Sequence, residues 1–132
     1  GFMTLDLMMN YPDYFVAGVA IAEAKLDAFI TDDQINVLKD QALFFIYSEN
    51  DPVVVPANYE IPTIERLRTA GAVNLMVSSP DHVVDTSGLY TDVDGNPYPY
   101  NDHWSWIYFD NNESVDDVTG QDSWSWIAEQ LN

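Results

Sequence analysis

Two residues in this chain have the types and the spacing for acid–base chemistry. Asp51 follows an apolar run at Ala42–Tyr47, in the segment Ser48-Glu49-Asn50-Asp51-Pro52-Val53-Val54. His103 lies 52 residues later in Tyr100-Asn101-Asp102-His103-Trp104-Ser105-Trp106. A histidine of this kind can take a proton from a nucleophile, and a carboxylate can hold the imidazole in the tautomer that does so. Each residue alone has a plainer reading. Asp-Pro is a turn signal, and a lone histidine before a helix is an ordinary loop residue. His82, in Ser79-Pro80-Asp81-His82-Val83, competes with His103 for the role of base.

Two further groups near His103 have chemical potential. Tyr90, Tyr98, Tyr100, Trp104 and Trp106 are dense enough to stack on a sugar or aryl group, or to pack the loop down. Asp92-Val93-Asp94-Gly95-Asn96, with Asp85 and Asp102 nearby, offers oxygen ligands for calcium. It lacks the 12-residue pattern with a closing Glu, and Asp-Gly-Asn is first of all a turn. A non-catalytic module that grips a carbohydrate or calcium with loop 90–108 is therefore the alternative to an enzyme. The run Asp110–Asp117 reads as solvated surface.

The elements that must position these residues follow from hydropathy. Phe2, Met3, Leu5, Met8 and Met9 recur at helical spacing until Tyr11-Pro12 ends the run. Phe15–Ala22, Ala42–Tyr47 and Val73–Val77 are short continuous apolar runs, as expected of strands covered on both faces. Between them lie a short polar helix at Asp32–Asp40 and a helix at Pro56–Ala70. The second of these has Ile64 and Leu67 on its apolar face and Gly71 as its stop. Ser78–Asp102 reads as loop, Trp104–Phe109 as a short aromatic helix and Gln121–Leu131 as a final helix. Alternating helices and buried strands predict an α/β fold, a parallel sheet covered by helices. Sites in such sheets form at the carboxyl ends of the strands, where Asp51 and His103 fall. The Trp-Ser-Trp-Ile segments at 104–107 and 124–127 have no supporting similarity around them and read as coincidence.

At this point the residues resemble a known family. Gly1-Phe2-Met3-Thr4-Leu5, followed by Asn10-Tyr11-Pro12-Asp13-Tyr14-Phe15, is similar to the helix after the nucleophile elbow of α/β-hydrolase esterases of the prolyl-oligopeptidase-like group. Ser48–Val54 resembles that family's acid loop, and Asn101–Ile107 its G-H-x-S-W segment. The resemblance covers nearly all 132 residues. It implies the C-terminal portion of an α/β-hydrolase fold, with Asp51 as triad acid and His103 as base. It also implies a small ester substrate, carbohydrate- or aryl-linked, bordered by Trp104, Trp106 and Tyr100, with neither cofactor nor metal. One departure is Asp102, where many relatives carry glycine. No serine here has glycines two before and two after it, so the resemblance puts the nucleophile about three residues upstream of Gly1.

Composition bounds the remaining possibilities. Four basic and 22 acidic side chains give a formal charge of −18, and after Arg68 the chain has no Lys or Arg. Binding nucleic acid or an anionic membrane surface needs clustered cations, so both are excluded as partners. A hydrophobic content of 47% is nonetheless that of a folded protein. Residues 1–132 are expected to form one domain, about half of a hydrolase domain. The outer edge of the first strand would then be bare, in need of an N-terminal half or self-association. No cysteine is present and no apolar stretch approaches 18 residues. Secretion is the expected location, although the composition equally suits the cytoplasm.

Overall fold

The structure, a computed structural model, describes residues 1–132. In chain order the elements are α1 (Phe2–Asn10), β1 (Gly18–Ile21), α2 (Asp32–Leu38), β2 (Ala42–Ile46), α3 (Glu60–Thr69), β3 (Asn74–Ser78), α4 (Trp106–Asp110) and α5 (Ser123–Gln130). Single 3₁₀ turns at Asp27–Phe29 and Pro56–Asn58 precede α2 and α3.

An apolar residue at every position of β2 requires cover on both faces, and the sheet is arranged to provide it. The three strands are all parallel in the order β1-β2-β3, with Gly18 opposite Leu43 and Ala42 opposite Asn74. Successive side chains of β2 point to opposite faces. Leu43, Phe45 and Tyr47 meet Leu5 and Met8 of α1, Ile35 and Leu38 of α2, and Ile64 and Leu67 of α3. Phe44 and Ile46 meet Trp126 of α5, with Phe109 and Ile127 packed against them. The fold is therefore α/β, a parallel sheet with helices on both faces, as the hydropathy pattern indicates.

Local chemistry sets the helix ends. Thr31 and Gln34 form a reciprocal capping box at the start of α2. Asp122 caps α5 by accepting from the Ser125 N–H. After α3, Gly71 takes φ +87°, and the N–H groups of Gly71 and Ala72 donate back to the carbonyls of Arg68 and Leu67. That pair of bonds is a Schellman stop, which a left-handed glycine allows.

Several expectations change in detail. α3 starts at Glu60 rather than Pro56, which opens a separate 3₁₀ turn, and α4 starts at Trp106 rather than Trp104. The first strand begins at Gly18 rather than Phe15, because only Gly18–Ile21 pairs with β2, and Phe15 and Val16 stay exposed. The run Asp110–Asp117 is more than solvated surface. Asp116 is buried and takes the Val77 N–H on Oδ1 at 2.8 Å, while the Asp117 N–H donates to the Val77 carbonyl at 2.8 Å. These two residues occupy the outer edge of β3, where unpaired backbone groups would otherwise invite another strand. Burial opposes the charge on Asp116. Donors from Val77, Thr119 and Val118 outweigh it and hold the carboxyl below its ordinary pKa.

The two Trp-Ser-Trp-Ile segments have different surroundings. Trp126 is buried against Phe44 edge to face at 5.4 Å, and its Nε1 donates to Asn74 Oδ1 at 3.0 Å. Trp104 and Trp106 are partly exposed beside His103. Because Trp126 is the large side chain that closes the second face of the sheet, Trp126→Ala should cost about 3–5 kcal/mol. Urea unfolding checks this. A loss below about 1 kcal/mol would show that this face is not core.

Candidate active site

The loop after β2 folds around one side chain. Asp51 Oδ1 accepts the N–H groups of Val53 at 2.7 Å and Val54 at 2.9 Å, an Asx-type turn that Asp-Pro favours. Its side chain is fully buried, and Oδ2 faces His103 Nδ1 at 2.8 Å. His103 sits in a turn made by Asn101, whose Oδ1 accepts the His103 N–H at 2.9 Å and whose carbonyl accepts the Trp104 N–H. The two residues come from the loops that follow β2 and β3, at the carboxyl end of the parallel sheet. With Nδ1–H donating to Asp51, Nε2 is the ring nitrogen left to exchange a proton. It has no hydrogen-bond partner in the chain, and 26% of the side chain remains exposed. No serine hydroxyl bonds to it. The arrangement can orient an imidazole, take a proton on Nε2 and stabilise the resulting imidazolium.

The other residues named from sequence sort around this pair. Trp106 stands edge to face with His103 at 5.7 Å, and Trp104 lies 6.2 Å from Trp106 at a 37° tilt. Tyr100 packs on Tyr98 at 5.4 Å, and its hydroxyl is directed to Asp85 Oδ1 at 3.3 Å. Asp85 is buried and also accepts from the Ser87 hydroxyl and the N–H groups of Gly88 and Tyr90. It is the organising residue of the loop before His103; the Asp-Thr-Ser-Gly string that marks it is a turn signal available in the sequence. Asp92 closes a tight turn, taking the N–H groups of Asp94 and Asn96 on Oδ1 and the Asn96 amide on Oδ2. His82, the competing histidine, pairs instead with Asp102 at 3.0 Å and is largely exposed. That hydrogen bond, followed by the negative charges of Asp102 and Asp81, pushes the pKa of His82 up.

Two buried carboxyls had no sequence signal. Glu23, just past β1, and Glu60, at the start of α3, both have no exposed surface. Neither Glu60 oxygen has a hydrogen-bond partner, nor has Glu23 Oε2. Burial raises the Glu60 pKa to about 8, with the charges of Glu23 and Asp51 adding to it. Burial likewise raises Glu23 to about 7, against the opposing pull of the Lys25 N–H. The backbone beside them is tight. Ala22 adopts φ +45°, and a Cβ on Gly1 would stand 2.5 Å from the Glu23 Cα, so only glycine fits there. A cavity of about 480 Å³ lies between α2 and α3 beside Arg66, away from Asp51 and His103.

No family model matches the sequence, and no curated protein matches it. Among solved structures, the crystal structure of a thermostable esterase is similar, with a TM-score of 0.65 at 19% identity. The likeness covers 96% of this chain and 27% of that one, so the chain spans about a quarter of the esterase's length. The chain thus has an esterase-like α/β fold.

The buried glutamates make a pH prediction. A carboxyl whose folded pKa lies above its unfolded value of 4.5 stabilises the fold in its neutral form. That contribution is complete below about pH 4.5 and is lost as pH rises through about 7 and 8. The thermal midpoint should therefore fall from about pH 5 to about pH 8, and Glu60→Gln should flatten the fall. Equal slopes in the two proteins would contradict a neutral Glu60.

Proposed function

We propose that this chain supplies the acid and the base of a serine esterase of the α/β-hydrolase type. The observation that carries the reading is the 2.8 Å hydrogen bond from His103 Nδ1 to the buried Asp51. In this reading His103 Nε2 takes the proton of a serine hydroxyl as its oxygen attacks the ester carbonyl. The tetrahedral intermediate collapses to an acyl-enzyme, and His103 gives the proton to the departing alcohol. Water then adds with His103 again as base, releasing the carboxylic acid and restoring the serine. Asp51 stays ionised throughout and keeps Nδ1–H directed toward itself.

The serine and the oxyanion donors come from residues outside positions 1–132. The packing of Gly1 against Glu23, at the same end of the sheet as Asp51, supports a nucleophile turn just before it. Trp106 stands edge to face with His103 and Trp104 lies beside Trp106, while Tyr100 packs on Tyr98. The exposed rings of the two tryptophans suit an aryl or sugar group on the ester. The calcium reading of loop 90–108 has less support, since both carboxylate oxygens of Asp92 are taken up within its own turn.

The 132-residue chain should not turn over p-nitrophenyl acetate. A polypeptide that runs into Gly1 from an upstream G-x-S-x-G element should do so. In that longer protein Asp51→Asn should lower kcat by about three to four orders of magnitude while the fold is kept. Unchanged activity would reject Asp51 as the acid, and turnover by residues 1–132 that disappears in His103→Ala would reject the need for an outside serine.

A further inference from the structure

The segment from Ser79 to Val83 runs between the two loops that carry Asp51 and His103, and it is bonded to both. On the acid side, the Asp81 carbonyl accepts from Ser48 Oγ at 2.9 Å and from Asn50 Nδ2 at 2.8 Å. The Pro80 carbonyl accepts the Glu49 N–H at 2.9 Å. Ser48 has no exposed surface, so water cannot substitute for its bond to Asp81. On the base side, Asp102 accepts the Val83 N–H on Oδ1 at 2.8 Å and faces His82 Nδ1 with Oδ2 at 3.0 Å. Asp102 immediately precedes His103. Fixing its side chain therefore fixes the turn from which the imidazole projects.

Asp102 is a carboxylate directly beside His103 in the chain. Here it is turned toward His82, 20 residues back in the chain, and toward a backbone N–H. We infer that His82 and Asp102 are a second imidazole–carboxylate pair that positions His103 without touching substrate. With Ser48 and Asn50 at its other end, the pair makes residues 79–83 a clip that sets the distance between the acid loop and the base turn. This rests on the reading of Asp51 and His103 as acid and base. The charged groups facing His82 are Asp102 and Asp81, with Glu49 beyond Asp81. All are acidic, so the His82–Asp102 bond is charge-assisted and stronger than a neutral one.

Proton NMR on the 132-residue chain tests this, because the chain holds only these two histidines. The His103 Nδ1–H, bonded to a buried carboxylate, should give a far-downfield resonance that Asp51→Asn removes. Two variants break the clip and keep the fold: Asp102→Asn retains an acceptor for the Val83 N–H, and His82→Gln alters a side chain that is 61% exposed. In both, the His103 resonance should persist but exchange with solvent about tenfold faster, the effect of losing one hydrogen bond to a charged group. A purely structural role would lower the thermal midpoint and leave that exchange rate as in the parent chain. Parent-like exchange in both variants would overturn the clip and leave the Asp51–His103 pair standing. Absence of the resonance from the parent chain would overturn the pair itself, and the clip with it.

Discussion

A carboxylate can be buried only when hydrogen bonds replace the water it gives up, and at Asp51 three of them do. Two come from its own loop and require nothing more than the Asp-Pro turn. The third comes from His103, 52 residues away, and it is the bond around which the rest of the molecule is arranged. α3 and β3 carry the chain across the sheet, and Asp85 gathers the long loop that brings it back.

The sheet gives that bond a rigid base. β2 is covered on both faces, so the end of the strand that leads into Ser48–Asp51 is fixed by packing as well as by the ladder. β3 is held on its outer edge by Asp116 and Asp117, which fixes the start of the segment that reaches His82. The same region concentrates negative charge without many cations to offset it. Part of the acidity is structural: Asp51, Asp85, Asp92, Asp116 and Asp122 accept backbone N–H groups within turns or a cap, and Asp102 accepts one across two stretches of loop. The overall charge of −18 is in this sense partly a consequence of how many loops the chain has to fasten.

The fold class and the principal pair were legible because their signals are local. Ala42–Tyr47 is apolar at every position, as a short strand covered on both faces requires. Asp51 and His103 were visible from their places after predicted strands, and Gly71 from its place after a helix. What the sequence hid depends on partners far away in the chain. Asp116 lies in a polar run that looks solvated, and only the backbone of Val77, 39 residues earlier, buries it. Glu60 at a helix start looks like an ordinary exposed carboxylate, and neither its burial nor the nearby charges of Glu23 and Asp51 can be read from its own segment. Phe15 and Val16 have strand-like character, but pairing with β2 sets the strand limit, and pairing is not written in the apolar run itself. His82 and Asp102 each stand out in the sequence, as a second histidine and as a departure from the family pattern, but their pairing across 20 residues does not show there.

The most direct measurement of the central claim is covalent labelling of a polypeptide that extends upstream of Gly1 with a fluorophosphonate, which reacts only with an activated serine. The expected result is one labelled serine a few residues before Gly1, with labelling lost in His103→Ala. A label on a serine within residues 1–132, or labelling indifferent to His103, would contradict the assignment of Asp51 and His103 as the acid and base of a serine esterase.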